Sequence, residues 1–343
     1  MLFCKCFLWV MYNLYQTKIR RDINEKVYKK PSFVISLFGK QYFGLIKTKS
    51  FGPFKLQWYQ IMWVDLPDDK EYVNLELERI KKEYSKKKSN ILFQFGFINE
   101  IIRFENVWHR SDEFKDDMRT IRLNIREFIC SNFDIKLAFR ENMPQSNIIY
   151  DITKSDDQLL LEMNSGCKER VKKAIKKWIY FGIASPDWYG LFYDKWLETV
   201  GNKWINIIPR NQYLDLIRYL TQNNRWNLFI SQIDWELVAG SICLYDEHRI
   251  IYLYGFANRK FGNIWWHHYL KFKIFGRARD NGFTYCDMLW WAPTWFSEHP
   301  LTSVSTFKES LWWMKIERYG SYDLILNPIL YKLFKIYTRF RDK

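Results

Sequence analysis

Lys308 follows Phe307 in the stretch HPLTSVSTFKESLWWMKIERYGSYDLILNP (299–328), between a short helix-capable segment and a strand-like run. A Phe-Lys pair in that setting reads either as part of a site or as a solvated lysine beside a core phenylalanine. A second concentration of cations is KERVKKAIKK (168–177), where Arg170 offers a planar, fork-shaped donor set that matches phosphate oxygens. The same run reads equally as a solvated helix face whose cations sit favourably toward the C-terminus. Arg210 and Tyr213 open a further helical segment, and Tyr252 and Tyr254 lie on the strand-like IYLYGFAN. The adjacent His267 and His268 form no triad with other residues and read as surface or half-buried side chains. No Gly-rich phosphate loop, G-x-S-x-G elbow, H-E-x-x-H or paired-carboxylate signature occurs. The six cysteines are scattered, with no histidine partners at zinc-ligand spacing, so neither a metal site nor a disulfide framework is expected and a reducing compartment fits.

The chain that must position these residues has 343 residues, 48% of them hydrophobic and 19% aromatic, with 17 Trp and a formal net charge of +15. That length exceeds the ~250–300 residues at which single cores stop growing, so two domains are expected. The charge attracts phosphate-rich partners: nucleic acid, nucleotide-linked substrates or an anionic membrane face; a basic surface kept for solubility is the plain alternative. Near the N-terminus the apolar run from Phe7 to Tyr15 is far shorter than the ~20 residues of a spanning helix, and no small-residue cleavage site follows. A cytoplasmic protein is expected, with peripheral contact at the membrane face as the lesser option.

Alternation and turn residues predict an antiparallel meander from Pro31 to Val64, broken at Gly39-Lys40 and Gly52-Pro53. A helix with Leu75, Leu77, Ile80 and Tyr84 at near-helical spacing follows, then the buried strand NILFQFGFI and a second helix around Met118 to Cys130. Pro144 with Gln145, Ser146 and Asn147 is the strongest boundary signal, and the junction is placed near 148, giving domains 1–148 and 149–343. Ile148 to Ile152 reads as a strand and Ser155 as the N-cap of a helix that carries Leu159, Leu160, Met163, Val171 and Ile175 to a core. Helices from Tyr189 to Val200 and Asn211 to Gln222, paired strands over Trp226 to Leu244 and Arg249 to Ala257, a helix from Trp265 to Asp280 ended by Asn281-Gly282, and the strand FTYCDMLWW complete an α/β order.

Arg259 and Gly262 stand where acetyl-CoA-dependent acyltransferases carry a pyrophosphate turn, but Ile264 occupies the last small position, which argues against close approach of a pyrophosphate. Six landmarks in order resemble the FemABX family of peptidoglycan bridge-forming aminoacyltransferases. They are the strand and basic helix with Arg170 and Ala174; Thr199; Arg210 with Tyr213; IYLYGFAN; ARDNGFTYCDM; and the FK segment followed by YGSYDLILNP. The resemblance covers the chain well from about residue 148 and points to the compact members, which lack a long helical-hairpin arm.

The resemblance implies two tandem GNAT-like domains, mixed sheets flanked by helices, with the last ~20 residues packing back on the first. It implies transfer of an amino acid from aminoacyl-tRNA, the co-substrate, to the stem peptide of a UDP-linked or lipid-linked muropeptide precursor, with no other cofactor and no metal, by a monomer. Lys308 would then be catalytic, stabilising the oxyanion, and Asp287 is the nearest thing to a general base. Arg170, Arg210, Tyr213, Tyr252, Tyr254 and Phe307 would bind substrate. An acyl-CoA-dependent N-acyltransferase on the same fold is the runner-up. A non-catalytic basic module that binds RNA or membrane is the third option, suggested by Leu330, Leu333, Phe334 and Tyr337 along the basic tail.

Overall fold

Alternating side chains from Ser32 to Val64 form the meander that the sequence predicts. Strands β1 (Ser32–Leu37), β2 (Lys40–Phe51) and β3 (Phe54–Val64) pair antiparallel, with Phe33 opposite Gly44 and Leu45 opposite Gln60. The turn between β1 and β2 needs two left-handed residues, Phe38 (φ 52°) and Gly39 (φ 71°), and glycine takes that conformation without steric cost. The structure is a computed structural model that describes residues 21–51, 54–105, 112–139, 145–177, 179–200, 208–245, 248–261, 265–290, 302–311 and 314–341. The N-terminal apolar run, Pro144, Asp246-Glu247, Gly262 to Ile264 and His299 lie outside the described residues.

Helix α1 (Lys70–Tyr84) starts where Asp69 accepts the Tyr72 N–H, and it buries Val73, Leu77 and Ile80. Leu75, expected on that face, is exposed, because the buried stripe runs i, i+4, i+7 from Val73. The chain returns as β4 (Asn90–Glu105), parallel to β3, then helix α2 (Asp112–Asn132) and the short β5 (Lys136–Leu137). On β4 the side chains of Phe93, Phe95 and Phe97, two apart and therefore on one face, stack with centroids 5.8 Å apart at each step. Tyr59 extends the stack at 4.7 Å from Phe93, which gives part of the aromatic content a structural use.

Strand β6 (Ser146–Asp151) opens the second unit. Ser155 caps helix α3 (Asp156–Glu162) in a reciprocal capping box with Gln158. The single helix read across this region is in fact two. Met163 is extended (ψ 148°), and Asn164 caps a new helix, α4 (Ser165–Lys176), by accepting the Cys167 N–H at 2.7 Å. Breaking the register there turns Ile175, expected in the core, to solvent, while Leu159, Met163, Cys167, Val171 and Ala174 are buried. Next come β7 (Tyr180–Ile183), α5 (Trp188–Val200), α6 (Arg210–Gln222), β8 (Trp226–Ile233), β9 (Glu236–Tyr245) and β10 (Arg249–Ala257). The β8–β9 turn was not visible in the sequence. Asp234 (φ 48°) and Trp235 (φ 66°) supply both left-handed residues with neither glycine nor asparagine. Helix α7 (Trp265–Asp280), ended by Gly282 (φ 83°), leads to β11 (Tyr285–Trp290), α8 (Thr302–Ser310), β12 (Met314–Ile325) and α9 (Pro328–Arg341).

The chain divides into two compact units. The first is Met1–Ile102, His109–Gln145 and Glu317–Lys343; the second is Arg103–Trp108 and Ser146–Ile316. The second unit therefore ends at Ile316 rather than at the chain end, because Tyr322, Leu324 and Leu326 fill the first unit's core. Phe334 of α9 packs against Trp58 and Phe139 of the same unit, with centroids at 4.9 and 5.3 Å. Of the residues read along the tail as suited to a membrane surface, Phe334 is buried and Leu333 exposed, and Tyr331 is buried beside Phe334. Strand order in the first unit is β1-β2-β3-β4-β12 with β5 on β12, and in the second β6-β11-β10-β9-β8-β7. Among the described residues no helix is long and apolar enough to cross a membrane.

Candidate active site

The second unit's sheet opens in its middle. Strands β10 and β11 pair in parallel only from Arg249↔Tyr285 to Ile251↔Asp287, and the ladder goes no further although β10 continues to Ala257. Both strands are irregular at that point. The β9–β10 register shifts between Tyr252 and Tyr254, and the β6–β11 register shifts between Asp287 and Trp290, where Leu289 takes a left-handed φ of 56°. The bulge fits the Met288 carbonyl to face helix α8, and Lys308 Nζ donates to it at 2.6 Å.

Lys308 is thus not the solvated lysine of the alternative reading, because it is buried. Its backbone is fixed as well: Tyr150 of β6 donates its hydroxyl to the Lys308 carbonyl at 2.5 Å. Burial pulls the Lys308 amine down to about 7, the Asp287 carboxylate opposes that shift, and Lys271 adds to it. Phe307 stacks on His267 at 4.8 Å and meets the edge of His268 at 4.9 Å. The Ser310 hydroxyl donates to the Phe307 carbonyl at 2.6 Å, so its contact with His268 Nε2 at 2.9 Å is one in which the ring nitrogen donates. His268, read as a surface or half-buried side chain, is buried in that contact.

Asp287 is fully buried, and its oxygens are engaged. They accept from Asn147 Nδ2 at 3.2 Å and the Leu289 N–H at 2.7 Å, and Arg249 pairs with them at 3.3 Å. Tyr252 is half-buried, with its hydroxyl 3.4 Å from His267 Nε2. Tyr254 packs on Trp196 at 4.6 Å. Tyr213 is a core residue whose hydroxyl donates to the Tyr189 carbonyl at 3.2 Å. Arg210 is exposed, paired with Asp194 at 2.9 Å and lying over the Tyr193 ring at 5.9 Å. Arg170 is half-buried on α4 beside Cys167. Lys308, Phe307, Tyr252 and Asp287 thus belong to one connected cluster, while Arg170, Arg210 and Tyr213 sit on other elements of the unit.

Two groups in the cluster were missed from the sequence, Arg249 and Lys271. Lys271 is completely buried on α7, donating to the Ser241 hydroxyl at 2.9 Å and lying 3.2 Å from the Tyr252 ring centroid. The available signal was its setting in WWHHYLKFKIFG, where Leu270, Phe272, Ile274 and Phe275 leave helix α7 apolar nearly all round. Among the described residues no group of three or more His, Cys, Asp or Glu could hold a metal ion.

Residues 184–297 match the family described as acetyltransferase (GNAT) domain, a span that includes β8 to β11 and ends before Lys308. A crystal structure of FemX has the same fold, with a TM-score of 0.67 and 17% identity over 94% of this chain and 94% of that one. The C-terminal domain (DUF2156) of a putative lysylphosphatidylglycerol synthetase from Agrobacterium fabrum gives a TM-score of 0.48 at 10% identity, over 93% and 94% of the two chains. L-PGS from Bacillus licheniformis gives 0.46 at 14% identity, over 88% and 91%. No curated protein sequence matches. Domain match and fold together give a chain with the fold of FemX in which residues 184–297 are similar to an acetyltransferase (GNAT) domain. The resemblance to the FemABX proteins read from the sequence holds at the level of the fold, which is that of FemX.

Proposed function

We propose that the chain transfers an amino acid from aminoacyl-tRNA to an amine on the stem peptide of a muropeptide precursor, as the FemABX resemblance implies. The observation that carries this reading is the buried Lys308 at the point where the β10–β11 ladder ends, on a FemX-like fold. The neutral amine attacks the ester carbonyl carbon; an N–C bond forms and the carbonyl electron pair moves to oxygen. Collapse then breaks the C–O bond to the ribose, whose oxygen takes the proton that the amine loses. Lys308 in its ammonium form stabilises the developing oxyanion. Asp287 anchors Arg249 and the turn at Leu289 rather than acting as general base, since its acceptor positions are already used.

Tyr252 and Phe307 are the cluster's aromatic groups for holding substrate, Tyr254 would act from beside Trp196, and exposed Arg210 and half-buried Arg170 are the phosphate-facing groups, for which the net charge of +15 supplies attraction at longer range. Tyr213 supports α6 from within rather than touching substrate. Lipid-linked precursor would bring the protein to the cytoplasmic membrane face, UDP-linked precursor would not.

The test is incubation with a pool of charged tRNAs and both precursor forms, read by product mass. A precursor heavier by one amino-acid residue, dependent on charged tRNA, is the expected outcome. The GNAT acetyltransferase match favours an acyl-CoA donor as the second reading. Consumption of a CoA thioester with no dependence on tRNA would replace the first reading with the second.

A further inference from the structure

Helix α9 carries two apolar stripes, and the first unit covers one of them. Tyr331, Phe334 and Thr338 are buried at i, i+3 and i+7, the spacing that lays a helix on a sheet. Ile329, Leu333 and Ile336 recur at i, i+4 and i+7 on another side, and they are 74%, 47% and 52% exposed. Packing on one sheet needs a single stripe, so polar side chains at these three positions would leave the contacts of Phe334 with Trp58 and Phe139 in place. Single exposed apolar side chains are ordinary on a protein surface, whereas an aligned set of them marks an interaction face. Among the described residues the first unit's other exposed large apolar side chains lie on β1, α1, α2 and β5, never three on one element.

The charge around the outer stripe narrows what covers it. With about 100° of turn per residue, Lys332 and Lys335 fall along one edge of the stripe and Tyr337 along the other. Lys49 of β2 lies over the Tyr337 ring at 5.9 Å, so cations flank the stripe on both sides. From Pro328 to Lys343 the sequence holds five cations, Lys332, Lys335, Arg339, Arg341 and Lys343, against one acid, Asp342.

We propose that the outer face of α9 docks on the surface of an anionic phospholipid bilayer, with Ile329, Leu333 and Ile336 sunk among the headgroups and Lys332, Lys335 and Lys49 drawn to lipid phosphates. An apolar stripe rimmed by cations suits a helix that lies in the plane of the interface. The 14 residues of α9 give about 21 Å of helix, short of the ~30 Å of a hydrocarbon core, so the helix lies on the bilayer and does not span it. Two other occupants fit less well. A second copy would use the same patch on both chains and set these cations against each other. A protein partner needs roughly 800 Å² from about 20–30 residues a side, whereas three side chains on a convex helix need only sink into a soft surface. The docking does not rest on the aminoacyl-transfer reading and would hold with any acyl donor.

The test is co-sedimentation of the full chain with vesicles, made either of phosphatidylcholine alone or of phosphatidylcholine and phosphatidylglycerol in equal parts. The wild type is expected to bind the mixed vesicles, less strongly as salt is added, and to bind the neutral ones far less. The triple variant Ile329→Ser, Leu333→Ser, Ile336→Ser is expected to bind the mixed vesicles on the order of 100-fold more weakly, because the apolar area that the bilayer covers is gone. Lys332→Gln is expected to weaken binding about fivefold. Leu75→Ser, a change at a leucine on α1 that is 66% exposed, is expected to leave it unchanged. Circular dichroism and the denaturation midpoint report whether each variant folds. Should the triple variant not fold, Ile329→Ser alone decides, with a loss of about tenfold expected.

A wild type that stays in solution with the mixed vesicles overturns the proposal, and so does equal binding to the neutral ones. A folded triple variant that binds as the wild type does overturns it as well, since overall charge or the apolar run near the N-terminus would then hold the protein. An equal loss in Leu75→Ser would make the effect unspecific and has the same consequence. A wild type that sediments alone as a dimer, with the triple variant a monomer, would give the stripe to a second copy and overturn the lipid assignment. No tRNA, precursor or CoA is present in the assay, so its outcome is independent of whether the proposed reaction is found.

Discussion

Each unit contains a parallel strand pair joined through a helix, β3–α1–β4 in the first and β10–α7–β11 in the second, and the two are completed differently. In the first, pairing continues from Gln57↔Asn90 to Val64↔Phe97, and a ladder of stacked rings lies on one face of β4. A run of buried polar groups there is linked: Gln60 donates to Gln94 at 2.9 Å, Gln94 to Asp323 at 3.0 Å, and Tyr331 to Asp323 at 3.0 Å. In the second, pairing stops after three positions, and buried Lys308 and Lys271 lie beside it, donating to the Met288 carbonyl and the Ser241 hydroxyl. One arrangement occurring twice thus gives a longer ladder with an aromatic face in the first unit and a three-position ladder beside buried lysines in the second. A complete ladder gives stability; an interrupted one leaves room for groups that stability alone would not select.

The comparison can be broken most directly at its rings. Phe95→Ala should lower the unfolding free energy by about 3–5 kcal/mol, read by denaturant titration, because it leaves a cavity in a stack that cannot close around it. Asp287→Ala should cost a similar ~3–5 kcal/mol by leaving buried Arg249 without its counter-charge. Asp287→Asn, measured per folded molecule, should keep most of the transfer rate; a loss as large as that of Lys308→Met would make Asp287 a base after all. Lys308→Met should act in the opposite sense from Phe95→Ala. Transfer should fall about 10²–10³-fold, ~2.7–4 kcal/mol on the barrier, with no loss of unfolding free energy, since a buried amine is replaced by an apolar chain. A Lys308→Met protein that is less stable yet fully active would erase the distinction between the two units.

A smaller effect concerns Asp323, which burial raises to about 6 from 3.8, with its hydrogen bonds from Tyr331 and Gln94 working the other way. A folded state that holds this proton more tightly than the unfolded chain is favoured at low pH, and the advantage is lost as pH rises through about 6. The stability of the wild type relative to Asp323→Asn should therefore increase by up to about 3 kcal/mol between pH 7 and pH 4. Chemical denaturation of the pair across that range gives the sign, and a difference that shrinks on acidification would contradict it. Least of all, Arg210→Ala should change stability by less than ~1 kcal/mol, its partner Asp194 being exposed, while weakening precursor binding and reducing its salt dependence. Unchanged affinity and salt dependence would remove Arg210 from the phosphate-facing group.

Where the sequence was informative, local rules and tertiary packing agreed. The Gly39 turn, the Ser155 cap and the Gly282 stop each use a residue type that the geometry requires, and all three elements lie where alternation or helical spacing put them. The Asp234–Trp235 turn broke that agreement, since neither residue advertises a left-handed conformation, and the hairpin was read as one strand segment. The helix break at Met163 was hidden for a different reason: the apolar spacing on either side suits one continuous helix, and only Asn164 marks the new start. At the site, Lys308 was legible through its order among other landmarks, whereas Lys271 was not. Its setting depends on contacts with Ser241 and Tyr252, which lie on two strands, and no helical pattern reports them.

The break between α3 and α4 also has a bearing on when the site is assembled. The Asn164 N–H, freed by the extended Met163, donates to the Ser310 carbonyl at 3.2 Å and so ties the end of α8 to the start of α4. With the Tyr150 hydroxyl on the Lys308 carbonyl and His268 on the Ser310 hydroxyl, α8 is held at three points from three elements. Helix α8 is therefore set in place as the second unit folds and does not wait for substrate. The amide of Asn164 should exchange its hydrogen with solvent as slowly as the core strands do, and substrate should alter that rate little.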